Sequence, residues 1–135
     1  MKVGIVGFGY VGKAINELFK YHYEVDIYDL KMLGMQNKHY VQNSDVVFVC
    51  VPTPQNPDGS CDISIVEDVV GWIEATLIVI KSTIPPGTTD ALKKKTGKRI
   101  VFSPEYCGES SYWTPYKFHT DIKETPFFIF GGDPK

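Results

Sequence analysis

The chain has 135 residues, 43% of them hydrophobic and 22% charged, with a net charge of −2. That is enough for one globular domain with a core, and the balanced charge leaves no basic footprint for nucleic acid. No apolar run reaches the ~18 residues that a membrane span needs.

The first residues, MKVGIVG, read as a strand with one lysine rather than as a signal peptide. Residues 3–6 form a short, mostly β-branched apolar run ending at Gly7. Val11, Ala14, Ile15, Leu18 and Phe19 then fall at helical spacing on one face. EVDIYD, residues 24–29, alternates like a second strand, and DVVFVCV, residues 45–51, suits a strand buried on both faces. Ser64-Ile-Val-Glu67 has the capping-box spacing and opens a helix. Residues 77–80 read as a buried strand and 88–95 as a helix stopped by Gly97. Residues 99–102 and 127–130 are the last strand candidates. Strands alternating with helices predict an α/β fold: a Rossmann-type doubly wound parallel sheet of about six strands in the order 3-2-1-4-5-6, as a single domain. The longest irregular stretches are residues 52–62 and 103–126, lengths that go with function or mobility.

Gly7, Gly9 and Gly12 have the spacing G-x-G-x-x-G between a buried strand and an amphipathic helix, the context that makes this pattern a dinucleotide fingerprint. Gly7 permits the tight turn, Gly9 lets a pyrophosphate approach the backbone, and Gly12 lets helix and strand pack closely. Tyr10 and Val11 open that helix, whose free N–H groups and dipole favour phosphate. Asp29 ends the second strand, where a carboxylate accepts hydrogen bonds from the adenosine ribose of NAD and repels a 2′-phosphate. Lys31 beside it softens that repulsion, and the alternative for Asp29 is a solvated turn residue. NAD is the cofactor these residues predict.

Three further motifs follow predicted strands: Val51-Pro52-Thr53-Pro54, the stretch KSTIPPGT at 81–88, and SPEYCGE at 103–109. In this order, behind the fingerprint, they resemble the N-terminal NAD-binding domain of the UDP-glucose/GDP-mannose dehydrogenase family. The resemblance covers most of residues 1–133. It implies that Val51, Pro52 and Thr53 join the cofactor contacts. It also implies that Thr83 lies near the nicotinamide and orients a catalytic water. Glu105 and Glu109 match the glutamates of a substrate loop, the second of them an acid–base candidate. The alternatives are a backbone-bonded strand-end hydroxyl for Thr83 and an exposed loop charge for Glu109. Ser103, Gly108 and Ser110 depart from the family pattern.

The family's nucleophilic cysteine lies in a G-x-C-F/L-P-K-D motif of a later domain, and nothing like it occurs here. The expectation is therefore a cofactor domain over residues 1–135, without the central helix and the sugar-nucleotide domain. Such a chain is unable alone to complete a four-electron oxidation. It serves a nucleotide-sugar 6-dehydrogenase, or else it is a repurposed NAD(H)-binding module or regulatory subunit. A sugar nucleotide, a homo-oligomer and a completing subunit are the partners left open.

The remaining residues have plainer readings. Cys50, Cys61 and Cys107 are odd in number, widely spaced and without CxxC, which favours reduced thiols in the cytoplasm over disulfides or zinc. Cys50 reads as a small core hydrophobe. Lys93, Lys94, Lys95, Lys98 and Arg99 read as a solvated helix end. Tyr106, Tyr112, Trp113, Tyr116 and Phe118 stack a base, pack over the sheet or form a dimer contact. His22, His39 and His119 have no metal-ligand spacing, so no metal is assigned.

Overall fold

A computed structural model describes residues 1–104, 122–124 and 128–132. The apolar runs become five strands: β1 (Lys2–Val6), β2 (Glu24–Tyr28), β3 (Val46–Val49), β4 (Leu77–Ile80) and β5 (Ile100–Phe102). The helices between them are α1 (Tyr10–Phe19), α2 (His39–Gln42), α3 (Ser64–Trp72) and α4 (Thr88–Thr96). All four strand pairs are parallel, with Val3 opposite Val25 on one side and Val46 on the other, and Ile78 opposite Ile100.

The period-2 alternation of each strand divides its side chains between two cores. Val3, Ile5, Phe48 and Val79 point to one face, where Ile15 of α1 and Ile122 cover them. Val6, Val47, Val49, Ile78, Ile80 and Ile100 point to the other, against Val41 of α2, Val66, Val69 and Val70 of α3, and Leu92 of α4. Helices on both faces are what makes the sheet doubly wound. Burying each of these side chains contributes about 1.5–3 kcal/mol, and the central strands β3 and β4 carry no polar residue.

The sheet order is β2-β1-β3-β4-β5, in place of the expected 3-2-1-4-5-6. Residues 29–45 contain one helical turn, α2. That is room for a single crossover, not for a journey out beyond β2 and back. The third strand therefore lands beside β1, on the side away from β2. The expected sixth strand is not formed by residues 128–130. Instead Gly131 exchanges backbone hydrogen bonds with Phe102 at 2.7 and 2.8 Å, an antiparallel bridge on the edge of β5.

Three local expectations also change. The N-cap of α3 is Ile63, with no side-chain cap and no Ser64–Glu67 box; just before it, the Asp62 carboxylate accepts from the Ser64 N–H at 2.8 Å. Residues 52–62 are no irregular loop: Asn56 N–H bonds Ser60 O, Gly59 N–H bonds Asn56 O, and Gln55 bridges Cys61, closing a hairpin. Lys98 is not solvated with the rest of its basic run. Its ammonium donates to the carbonyls of Val70, Gly71 and Ile73 at 2.6–2.9 Å, at the end of α3. Gly97 does stop α4, in a left-handed conformation with φ +69° and its N–H on Lys93 O.

Candidate functional site

β1 sends its chain over one face through α1, and β3 sends its chain over the other through α3. The crevice where the direction reverses lies at the carboxyl ends of β1 and β3, the place where open α/β sheets take ligands. A cleft of about 510 Å³ opens there. Gly9, Tyr10 and Val11 line it from the start of α1, Cys50, Val51, Pro52 and Thr53 from the end of β3, and Lys81, Ser82 and Thr83 from the end of β4.

The three glycines do different work. Gly7 has φ +90°, and a Cβ there would sit 2.5 Å from the Cys50 carbonyl oxygen. A Cβ on Gly12 would overlap the Gly7 carbonyl oxygen. These two let the turn, β3 and α1 pack together. Gly9 is different: a Cβ there would meet nothing within 4 Å, because it would project into open space at the cleft. The first turn of α1 carries no acidic residue and no side-chain cap. Its leading N–H groups and positive dipole end are thus left for an anion. An unobstructed approach to an acid-free helix start fits the diphosphate of a dinucleotide.

Asp29 lies just after β2 and does not line the cleft. It is half-buried rather than a solvated turn residue. Its Oδ2 accepts from the Phe8 N–H at 2.7 Å and its Oδ1 from the Lys31 N–H at 2.8 Å. Thr83 is exposed at the far wall, and its carbonyl accepts from the Cys61 thiol at 3.7 Å. The strand-end hydroxyl fastened to backbone is that of its neighbour Ser82, which donates to Val51 O at 2.7 Å. Glu105 and Glu109 lie outside the described residues, as do Cys107 and the aromatic cluster from Tyr106 to Phe118.

Of the residues named from the sequence, Gly9, Tyr10, Val11, Val51, Pro52, Thr53 and Thr83 come together around one cleft. Three more line it that sequence reasoning missed. Cys50 is half-buried: it packs against the core on the α1 face and also lines the cleft. Ser82 joins β3 to β4. Lys81 is 4% exposed, and its ammonium donates to Ser103 Oγ and Pro104 O, both at 3.2 Å. A lysine directly continuing an apolar strand was the available signal for Lys81. Among the described residues no helix is long and apolar enough to cross a membrane.

The Ser64 hydroxyl, and then its N–H, hold the Asp62 carboxyl below its ordinary value of 3.8, and Ser60 does the same for Asp58.

A UDP-glucose 6-dehydrogenase of Streptococcus pneumoniae is 32% identical over an alignment covering 82% of this chain and 37% of that protein. A UDP-N-acetyl-D-mannosamine dehydrogenase of Methanocaldococcus jannaschii is 37% identical over 50% of this chain and 18% of its own. The chain thus spans little more than a third of the first relative's length and less than a fifth of the second's. In fold, it matches a crystal structure of a ternary complex of GDP-mannose dehydrogenase from Pseudomonas aeruginosa. The TM-score is 0.73 at 24% identity, over 98% of this chain and 41% of that one. Residues 28–121 match the family model of the UDP-glucose/GDP-mannose dehydrogenase family, NAD binding domain. The chain belongs to the UDP-glucose/GDP-mannose dehydrogenase family, and the part of the family it represents is the NAD-binding domain.

Proposed function

We propose that this chain is the cofactor half of a nucleotide-sugar 6-dehydrogenase, with NAD lying across the cleft between the β1 and β3 ends. The observation that carries the reading is the open approach to Gly9 at an acid-free helix start. In this reading the amides at the start of α1 hold the diphosphate, and Asp29 accepts from the adenosine ribose through lone pairs its backbone partners leave unused. Val51, Pro52 and Thr53 form the wall along which the cofactor runs, toward Thr83. Thr83 presents its hydroxyl where a substrate oxygen or water needs orienting, and Glu105 and Glu109 manage protons on the sugar-nucleotide side. NAD, when bound, supplies the hydride acceptor. In this reading residues 1–135 alone do not complete the four-electron oxidation, because they lack the G-x-C-F/L-P-K-D cysteine whose thiol would hold the aldehyde for the second step.

Calorimetric titration with NAD and NADP tests the cofactor assignment. NAD should bind on the order of tenfold or more tightly than NADP, since a 2′-phosphate would face the Asp29 carboxylate. Equal affinities would refute the role given to Asp29. Absorbance of NADH, followed with UDP-glucose and separately with GDP-mannose, distinguishes a catalytic domain from a binding module. Turnover that disappears in Thr83→Ala supports the first, and NAD binding without any turnover supports the second.

A further inference from the structure

We propose that Asp29 is a positioning residue for the phosphate cradle, independently of any contact with ribose; the proposal rests on the NAD-binding reading of the cleft. Asp29 is tied to the glycine-rich turn before any ligand is bound. Gly7 N–H donates to Tyr28 O at 2.9 Å, and the next amide, Phe8 N–H, donates to Asp29 Oδ2 at 2.7 Å. The end of β2 is thus stitched to two successive amides of the turn that leads into Gly9 and α1. The carboxylate is itself held from behind: Lys31 N–H donates to Oδ1 at 2.8 Å, and Asp29 N–H donates to Met35 O at 2.8 Å. One side chain therefore joins the loop after β1 to the loop after β2.

The consequence is preorganisation. Gly7 sits at φ +90° and, having no side chain, has wide conformational freedom. A charge-assisted bond to the amide that follows it removes much of that freedom. The leading amides of α1 then point into the cleft without waiting for a phosphate to order them, and binding is spared that ordering cost. A carboxylate oxygen accepts two hydrogen bonds, and each Asp29 oxygen has one backbone donor in the described structure, so holding the turn and receiving a ribose are compatible.

A cycle of two proteins and two ligands separates the roles. NAD and its analogue with a 2′,3′-dideoxy adenosine ribose are titrated into the natural chain and into Asp29→Ala. If Asp29 holds the turn, the substitution weakens the dideoxy analogue about tenfold, although that ligand has no hydroxyl for the carboxylate. If Asp29 serves ribose alone, both proteins bind the analogue equally and differ only for NAD, which overturns the proposal. Failure of the natural chain to bind NAD at all overturns the cofactor reading and this one with it. A ligand-free measurement guards against a poorly folded variant. In Asp29→Ala, whose thermal unfolding first establishes a folded state, the Phe8 amide should exchange with solvent deuterium about tenfold faster while amides of β4 keep their rates. Unchanged Phe8 exchange would again overturn the proposal.

Discussion

Gly9→Ala and Gly12→Ala add the same methyl group three residues apart and should fail in opposite ways. At Gly12 the new Cβ overlaps the Gly7 carbonyl oxygen and stands 3.0 Å from its carbon and 3.3 Å from Ile5 Cγ2. Two of those neighbours are backbone atoms of the turn, so relief requires α1 to move off β1. Overpacking of this kind costs about 1–3 kcal/mol, and the better helix propensity of alanine returns up to about 1 kcal/mol. A net loss of about 1–2 kcal/mol, spread over an unfolding entropy of about 2.1 cal/mol/K per residue, lowers Tm by about 4–7 °C. At Gly9 the backbone has φ −76° and ψ −155°, open to any L-residue, and the methyl meets nothing within 4 Å. Stability should hold or rise by about 0.4–1 kcal/mol. NAD binding should suffer, since the methyl takes the space through which a phosphate reaches the amides. Forfeiting one charge-assisted hydrogen bond, worth about 1.5–3 kcal/mol, weakens binding roughly 10- to 150-fold. Calorimetric melting and NAD titration of both variants provide the assay. A Gly9→Ala protein that binds NAD normally, or a Gly12→Ala protein that melts at the natural temperature, would refute the division of labour among the glycines.

Two other substitutions probe the scaffold. Lys98→Met keeps the apolar stem but removes the donor to three carbonyls at the end of α3; it should cost about 2 kcal/mol, and an unchanged urea midpoint would contradict the interaction. Asp62→Ala should destabilise the fold at neutral pH, but less and less in acid. The Asp62 carboxyl is held below 3.8 in the folded chain, so its contribution is fully present above that pH and disappears as pH falls through the lower, folded value. A stability gap between Asp62→Ala and the natural chain that stayed constant down to about pH 2 would rule out this contribution of the Asp62–Ser64 contact.

What was legible in the sequence is what depends on neighbours along the chain. The β-branched runs, the helical spacing after Gly12, the stop at Gly97 and the acid closing β2 are all local, and each appears where its pattern puts it. The order of strands was not legible, because it depends on how far a crossover reaches. Nothing in residues 45–51 says which side of β1 they will join; the shortness of α2 decides that. Lys98 was misjudged, and Lys81 given no role, for a related reason. Their contacts depend on acceptors more than twenty residues away that only the fold brings up: Ser103 and Pro104 for Lys81, Val70, Gly71 and Ile73 for Lys98. The hairpin of residues 52–62 read as an irregular stretch, although Asn56, Pro57, Asp58 and Gly59 are turn formers. Only the pairing of Gln55 with Cys61 turns those residues into two arms. At the site, the wall from Val51 to Thr53 and the position of Thr83 follow directly from the ends of parallel strands. The carboxylate of Asp29 holding the Phe8 amide was invisible, since the sequence gives no clue to what an acid bonds before its ligand arrives.

The unequal surroundings of the three glycines bear on how such a chain changes over generations. Descendants that gave up the dinucleotide would still lose stability with any side chain at positions 7 and 12, because backbone already occupies the volume it would take. Position 9 would be released, and any residue could drift in without disturbing the sheet. A surviving glycine at that middle position is therefore the one whose persistence testifies to continued use of the cofactor, while the outer pair testifies only to the architecture.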